Sequence, residues 1–221
     1  RDAIYFYLNQ LEKLNPITQK IWLPAFICDS IVSTIKETNY DLNFYDVGPD
    51  LSPCLENIKF FKDDIIILVN FFGFTTISAI DTNFLFKTGV KVIIDNAHMI
   101  PQNFNNSEKF CNAIVYGLWK NMPITDGCLF FSDLNSELKK NFSFKKSTSF
   151  IRSLKFLLDL LAYKLNVNIL FFKDLFKNKK NFNFKKYVPK KYIINNHTLK
   201  KIKKYNFDEA NKKRVINFNR F

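Results

Sequence analysis

The chain has 221 residues, 47% of them hydrophobic, and a formal net charge of +13. This composition is typical of a globular protein with a sizeable core, and it excludes a disordered or repetitive chain. The basic excess is uneven: residues 139–221 carry 23 Lys and Arg against 4 Asp and Glu, whereas residues 1–138 carry 10 against 16. A solvated basic face explains this better than a nucleic-acid site, which the sequence disfavours.

The four cysteines form no CxxC pair, and only two histidines accompany them, so a structural zinc site is excluded. Scattered single cysteines favour a reduced, cytoplasmic setting. The longest apolar stretch, 151–172, is interrupted by four charged residues, so no membrane span is predicted. No signal peptide is recognisable. The chain starts at Arg1 directly in a helical pattern, and we expect it to be part of a longer protein.

Helical and extended patterns alternate along the first 131 residues. Helices are predicted at 2–14, at 27–38 and within 74–87. Strands are predicted at 21–23, 42–47, 64–69, 91–95, 112–116 and 128–131. Strands that alternate with helices indicate βαβ units and a mostly parallel sheet with right-handed crossovers.

The pattern changes after residue 133. Helices are predicted at 147–165 and 168–176, followed by an extended, largely polar connection at 187–197. A final helix is predicted at 207–221, with Asp208 as its cap and with Val215 and Phe218 on one side.

Two short segments carry the candidate chemistry. An apolar run at 92–94 ends in Asp95, and Lys120 follows about 25 residues later in a Gly/Trp/Pro context. Ligands of open α/β sheets bind beyond the carboxyl ends of the strands, so both residues can serve one ligand. A carboxylate and an amine are the pair that pyridoxal phosphate needs. The alternative is a structural one, in which Asp95 caps the next helix and Lys120 is a surface residue or its ion-pair partner.

Six segments in order resemble the DegT/DnrJ/StrS group of pyridoxal-phosphate-dependent sugar aminotransferases, within the fold-type-I superfamily. They span about the first 130 residues and read RDAI from Arg1, LPAFIC from Leu23, FYDV from Phe44, VNFFG from Val69, IDNAH from Ile94, and Lys120 followed by Asp126-Gly127. The resemblance implies a three-layer α/β/α sandwich with a mostly parallel sheet, incomplete at both ends. It divides the chain into a large domain at 1–195 and the start of a small domain at 196–221.

The resemblance also implies roles for individual residues. Asp95 pairs with the pyridinium nitrogen, and His98 lies near the oxygen of the cofactor ring. Lys120 binds the cofactor covalently and relays the proton. Arg1 and Asp2 match the helix N-terminus that offers backbone N–H groups to the phosphate.

The sequence departs from the family at three positions. The phosphate-binding serine of the family lies five or three residues before the lysine, where this chain has Val115 and Gly117. The position that often stacks an aromatic ring on the cofactor is Cys28, and Phe26 is the candidate to replace it.

The function implied is transfer of an amino group from glutamate to a keto-sugar nucleotide, in surface polysaccharide or amino-sugar biosynthesis, by a homodimer. One alternative is a non-catalytic relative of the same fold that has lost the cofactor. Another is a basic protein that binds nucleic acid or an anionic surface through its lysine-rich second half.

Overall fold

The computed structural model describes residues 1–15, 19–101, 109–124, 127–134, 145–146, 192–193 and 196–220. The helices among them are α1 Asp2–Leu14, α2 Asp29–Ile35, α3 Ala79–Lys87, α4 Leu118–Asn121, α5 Asn196–Lys204 and α6 Phe207–Phe218. The strands are β1 Lys20–Pro24, β2 Asp41–Val47, β3 Pro53–Cys54, β4 Ile65–Val69, β5 Lys91–Asp95, β6 Ala113–Tyr116, β7 Leu129–Ser132, β8 Lys145–Lys146 and β9 Tyr192–Ile193.

Strands β1 to β7 form one mostly parallel sheet in the order β3-β2-β1-β4-β5-β6-β7. The pairings from β2 through β1, β4 and β5 to β6 are all parallel. Only the two edge strands of this sheet, β3 and β7, run antiparallel to their neighbours. The carboxyl ends of the five parallel strands therefore meet at one edge of the sheet.

Helices cover both faces of this sheet. On one face, Ile4 and Leu8 of α1 and Ile35 of α2 pack with Ile65 and Ile93 of the strands. On the other face, Leu85 of α3 packs with alternate residues of the same strands, including Ile66 and Ile94. Strands β4 and β5 are buried on both faces, which is why they are continuous apolar runs in the sequence. The predicted α/β/α sandwich is confirmed.

Some elements differ from their predictions, and others were not predicted. Helix α2 ends at Ile35, three residues before its predicted end. Strand β3, the short helix α4 and helix α5 were not predicted, and α5 begins within the predicted extended connection. The cap of α6 is Asn206, whose side chain accepts from the Glu209 N–H, so the assignment of Asp208 was wrong. The helices predicted at 147–165 and 168–176 lie outside the described residues.

Among the described residues, none of the helices combines the length and the apolar character that crossing a membrane requires.

Candidate active site

The loops at the carboxyl edge of the sheet are joined by hydrogen bonds. Asn70 follows β4 and Asn96 follows β5, and the Asn70 amide donates to the Asn96 side-chain oxygen at 2.7 Å. Both side chains are buried. The Asn70 N–H also donates to the Asp95 carbonyl at 3.1 Å, and the Asn96 N–H donates to the Val115 carbonyl at 2.8 Å. The ends of β4, β5 and β6 are thereby held together, and their following loops are brought to one place.

His98 and Lys120 meet above this edge. His98 lies in the turn after β5, and Lys120 lies in α4, which follows β6. Lys120 Nζ is 2.6 Å from His98 Nε2. The other ring nitrogen, Nδ1, accepts a hydrogen bond of 3.3 Å from the Phe72 N–H. The loop after β4 therefore holds the imidazole through Nδ1, and Nε2 lies within hydrogen-bond distance of the lysine nitrogen.

Asp95 lies at the end of β5, three residues before His98. Its Oδ1 accepts from the Ala97 N–H at 2.8 Å, so it caps a turn and not a helix. Burial raises the pKa of the Asp95 carboxyl. The Ala97 hydrogen bond and the positive charge of Lys120 act in the opposite direction. Asp95 thus lies within electrostatic range of Lys120.

The charges around His98 favour its neutral form. Burial and then the positive charge of Lys120 lower the pKa of His98, and Arg214 adds to this, whereas Asp95 raises it. A neutral imidazole can accept a proton or a hydrogen bond at neutral pH.

Aromatic side chains form one wall beside His98. The Phe72 ring lies parallel to the imidazole, with centroids 6.2 Å apart. Phe26 packs against Phe71 and Phe72 at 5.4 and 6.4 Å. Phe72 has a φ of 55°, in the left-handed region that phenylalanine seldom adopts, and such strain accumulates at functional sites. Phe26 is therefore part of this aromatic wall through its contacts with Phe71 and Phe72.

An open cavity of about 240 Å³ lies at this edge, lined by Phe72, His98, Lys120, Asn121 and Arg214. Arg214 comes from α6, near the end of the chain. Sequence reasoning missed both Asn121 and Arg214 as site residues. Asn121 adjoins Lys120 and could have been noticed, but no local pattern distinguishes Arg214 from the many basic residues around it.

Helix α1 begins at Arg1 and Asp2, and the Tyr5 N–H donates to the Arg1 carbonyl at 3.0 Å. The phosphate-binding role that the resemblance implies for this helix start stays a prediction.

Packing explains the missing hydroxyl group at 117. A Cβ atom on Gly117 would lie 2.7 Å from the Ala97 carbonyl oxygen and 3.3 Å from both Ala97 Cα and Cβ. This position accepts no serine without rearrangement, because the turn after β5 occupies that space. Val115, at the other position, is a buried residue of β6.

No protein-family model matches the sequence, and no curated protein is significantly similar to it. Among solved structures, the chain resembles Helicobacter pylori PseC, an aminotransferase involved in the biosynthesis of pseudoaminic acid. The TM-score is 0.51 at 16% identity, over 63% of this chain and 39% of that one. It also resembles a sphingosine-1-phosphate lyase from Burkholderia pseudomallei, with a TM-score of 0.50 at 12% identity, over 63% and 36% of the two chains.

A DegT/DnrJ/EryC1/StrS aminotransferase from Brucella abortus matches with a TM-score of 0.45 at 18% identity, over 62% of this chain and 41% of that one. The chain covers less than half the length of each of these three proteins. At such identities the likeness concerns the fold. The shared fold is the α/β/α sandwich with its mostly parallel sheet.

Proposed function

We propose that the chain carries the cofactor site of a pyridoxal-phosphate-dependent aminotransferase. The observation that carries this proposal is the 2.6 Å approach of Lys120 Nζ to His98 Nε2 at the same sheet edge as Asp95. Burial raises the pKa of Asp95 and the positive charge of Lys120 opposes this shift, so the carboxyl and the lysine lie within electrostatic range of each other.

The residues present fit the cofactor. A buried carboxylate without a cation is costly, and a protonated pyridine nitrogen is a suitable partner for Asp95. The N-terminus of α1 at Arg1 and Asp2 offers backbone N–H groups and a positive dipole end to a phosphate. Phe72 and Phe26 offer apolar surface to a flat ring. The family's serine contact at positions 115 and 117 is missing, so we expect the phosphate to depend on the helix N-terminus.

Bound here, the cofactor would supply an electron sink for negative charge on the substrate's α-carbon. Lys120 would hold the cofactor through Nζ and would move a proton as a general base and acid. Asp95 would hold the pyridine nitrogen in its protonated form. His98, whose neutral form is favoured by burial and by Lys120, accepts from the Phe72 N–H at Nδ1 and therefore carries its hydrogen on Nε2, which can donate to the Lys120 amine once that amine has lost its proton. The Asn70–Asn96 bridge holds the loops on which these groups lie.

The resemblance to sugar aminotransferases suggests glutamate as donor and a keto-sugar nucleotide as acceptor. We also propose that the protein acts in the cytoplasm as a homodimer. PseC, whose fold the chain shares, is an aminotransferase involved in the biosynthesis of pseudoaminic acid. Incubation with isotopically labelled glutamate and a panel of keto-sugar nucleotides tests the substrate class, since label must appear as a sugar amine.

The cofactor site is tested by titration with pyridoxal phosphate, borohydride reduction and peptide mass spectrometry. We expect saturable binding and a single modified residue, Lys120. Lys120→Ala should lose this modification, whereas Lys87→Ala, at an exposed position on α3, should retain it. Trapping that survives in Lys120→Ala on another lysine would contradict the proposal.

A non-catalytic relative is the second candidate, because the turn after β5 fills the space where the family's serine would stand. This candidate predicts no saturable trapping with the wild-type chain at cofactor concentrations where active enzymes of this class are loaded. The same titration therefore separates the two functions.

A further inference from the structure

The C-terminal segment, residues 196–220, packs against the helix that carries Lys120. Ile202, Tyr205 and Phe207 of this segment contact the buried cluster of Leu118, Met122 and Ile124. The Lys201 ammonium donates to the Pro123 carbonyl at 3.3 Å, and the Tyr205 hydroxyl donates to the Asn121 carbonyl at 3.1 Å. The residues on both sides of Lys120 are thus fixed from outside the sheet.

Asn121 joins the lysine helix to the histidine turn. Its side-chain nitrogen donates to the Met99 carbonyl at 2.8 Å and to the Gly117 carbonyl at 3.4 Å. Its side-chain oxygen accepts from Arg214 Nη1 at 3.0 Å. An amide nitrogen has two hydrogens and its oxygen is an acceptor, so this arrangement satisfies the whole group in one orientation.

Arg214 completes the connection from α6. Its Nη1 donates to the His98 carbonyl at 3.1 Å as well as to Asn121, so one guanidinium nitrogen bridges the two segments that carry the His98–Lys120 pair. The loop after β4 leaves room for it: a Cβ atom on Gly73 would lie 2.9 Å from Arg214 Nη2 and 3.0 Å from the His98 carbonyl oxygen.

We propose that Asn121 and Arg214 are positioning residues, which hold Lys120 against His98 by linking α4, the turn after β5 and the C-terminal helix α6. This inference rests on the proposed function, because the contacts of Asn121 and Arg214 affect the reaction only if Lys120 is the reactive lysine. Small displacements of a reacting group have large effects on rate. The latch, defined as Asn121 and Arg214, therefore sets the reactivity of Lys120 without either residue reacting.

The latch can be tested first in the cofactor-free chain, by hydrogen–deuterium exchange of segments 96–101 and 117–124. Asn121→Ala and Arg214→Gln should accelerate exchange in both segments. Lys212→Gln is the matched control, since it removes one positive charge from an exposed position of the same helix, and it should behave as wild type. Arg214→Lys keeps a donor and should restore slow exchange in part.

The pKa of His98, measured by NMR titration of its imidazole, gives a second test, because a general increase in the mobility of the chain would not shift it in the direction expected from the loss of the Arg214 charge. Arg214 is one of the charges that lower the pKa of His98, after burial and Lys120. Arg214→Gln should therefore raise the His98 pKa, whereas Lys212→Gln should leave it unchanged. With the cofactor present, borohydride trapping on Lys120 should slow about tenfold in Arg214→Gln and Asn121→Ala.

If Arg214→Gln and Lys212→Gln show the same hydrogen–deuterium exchange and the same His98 pKa, the proposed role of Asn121 and Arg214 is wrong. If Asn121→Ala fails to fold, the comparison of Arg214→Gln with Arg214→Lys still tests whether Arg214 holds Lys120 against His98. If the wild-type chain traps no cofactor, the proposed function fails, but exchange and titration in the cofactor-free chain still decide the latch.

Discussion

At position 117 a single missing Cβ atom sets how closely the turn after β5 approaches the start of the lysine helix. The φ of Gly117 is −86°, which any residue adopts, so the requirement for glycine is steric and not conformational. The clash would be with backbone and Cβ atoms of Ala97, which cannot rotate away.

We therefore expect Gly117→Ala to lower the free energy of unfolding by about 1–3 kcal/mol, as overpacking does. Gly48→Ala is the matched control, because its Cβ would first meet the side chains of Asp50 and Ser52, which can move. Urea denaturation of both variants measures the difference. Equal stabilities would show that Ala97 yields readily and that a side chain at 117 is tolerated.

The buried charge of Asp95 serves the proposed cofactor site but lowers the stability of the folded chain at neutral pH. Because burial raises its pKa in the folded chain, its contribution to stability is fully present below the ordinary pKa of aspartate and is lost as the pH rises through the folded value. Asp95→Asn keeps an oxygen for the Ala97 N–H and removes the buried charge. We expect this variant to be more stable than wild type by about 1 kcal/mol at pH 7 in the absence of cofactor.

The gain from Asp95→Asn should shrink towards zero at acid pH, where the wild-type carboxyl is protonated in both states. Thermal unfolding at several pH values measures it, with the exposed Asp46→Asn as the control. Cofactor trapping should fall in the same variant. A variant less stable than wild type at every pH would contradict the assigned cost of the buried charge.

The residue types at the site were predicted where local sequence and family resemblance agreed. Asp95, His98 and Lys120 lie at the ends of two strands in short, recognisable segments, and His98 and Lys120 do approach each other. The roles of all three residues stay predictions. Arg214 was missed because its position depends on how α6 docks, 116 residues away from His98 along the chain. The strained backbone of Phe72 also has no local signature.

At the scale of elements, buried runs were the easiest to predict. Strands β4, β5 and β6 lie inside the sheet, and continuous apolar sequence identifies them. Short elements at the edges were missed, because β3 has only two residues and α4 only four. Helix α5 was missed because its many lysines left few apolar residues to reveal a helical period, although Ile202 packs against the cluster around α4.

The cap of α6 gives a prediction at this scale. Asn206 accepts from the Glu209 N–H at 3.0 Å, whereas Asp208 lies inside the first turn. Asn206→Ala should destabilise the helix by about 1 kcal/mol. Hydrogen exchange of residues 207–218 should accelerate accordingly, and Asp208→Asn, which only weakens the interaction with the helix dipole, should have the smaller effect. The reverse order would restore Asp208 as the cap.

At the scale of the molecule, the first helix is tied to the last strand of the sheet. The buried Tyr7 of α1 donates its hydroxyl hydrogen to Asp133 Oδ1 at 3.0 Å, and the Asn112 amide donates to Asp133 Oδ2 at 3.0 Å. This bridge joins residues 126 positions apart. Burial, and then the charge and hydrogen bond of Asp133, raise the pKa of Tyr7 above its usual range.

Tyr7→Phe should therefore lower the free energy of unfolding by about 1–2 kcal/mol, because Asp133 loses a donor in a partly buried place. Asp133→Asn keeps an acceptor for the hydroxyl and should cost less. Chemical denaturation of the two variants tests the order. If Tyr7→Phe is neutral, water replaces the bridge and the tie between α1 and β7 contributes little.

The sequence by itself determined the alternation of strands and helices, the central buried strands and the segments that carry Asp95, His98 and Lys120, because burial on both faces of a sheet selects apolar residues locally. Only the tertiary structure decided that Lys120 faces His98, that Gly117 must lack a side chain, and that Arg214 reaches the cavity. These are contacts between distant segments, and they depend on how loops and helices pack at one edge of the sheet, which no local pattern encodes.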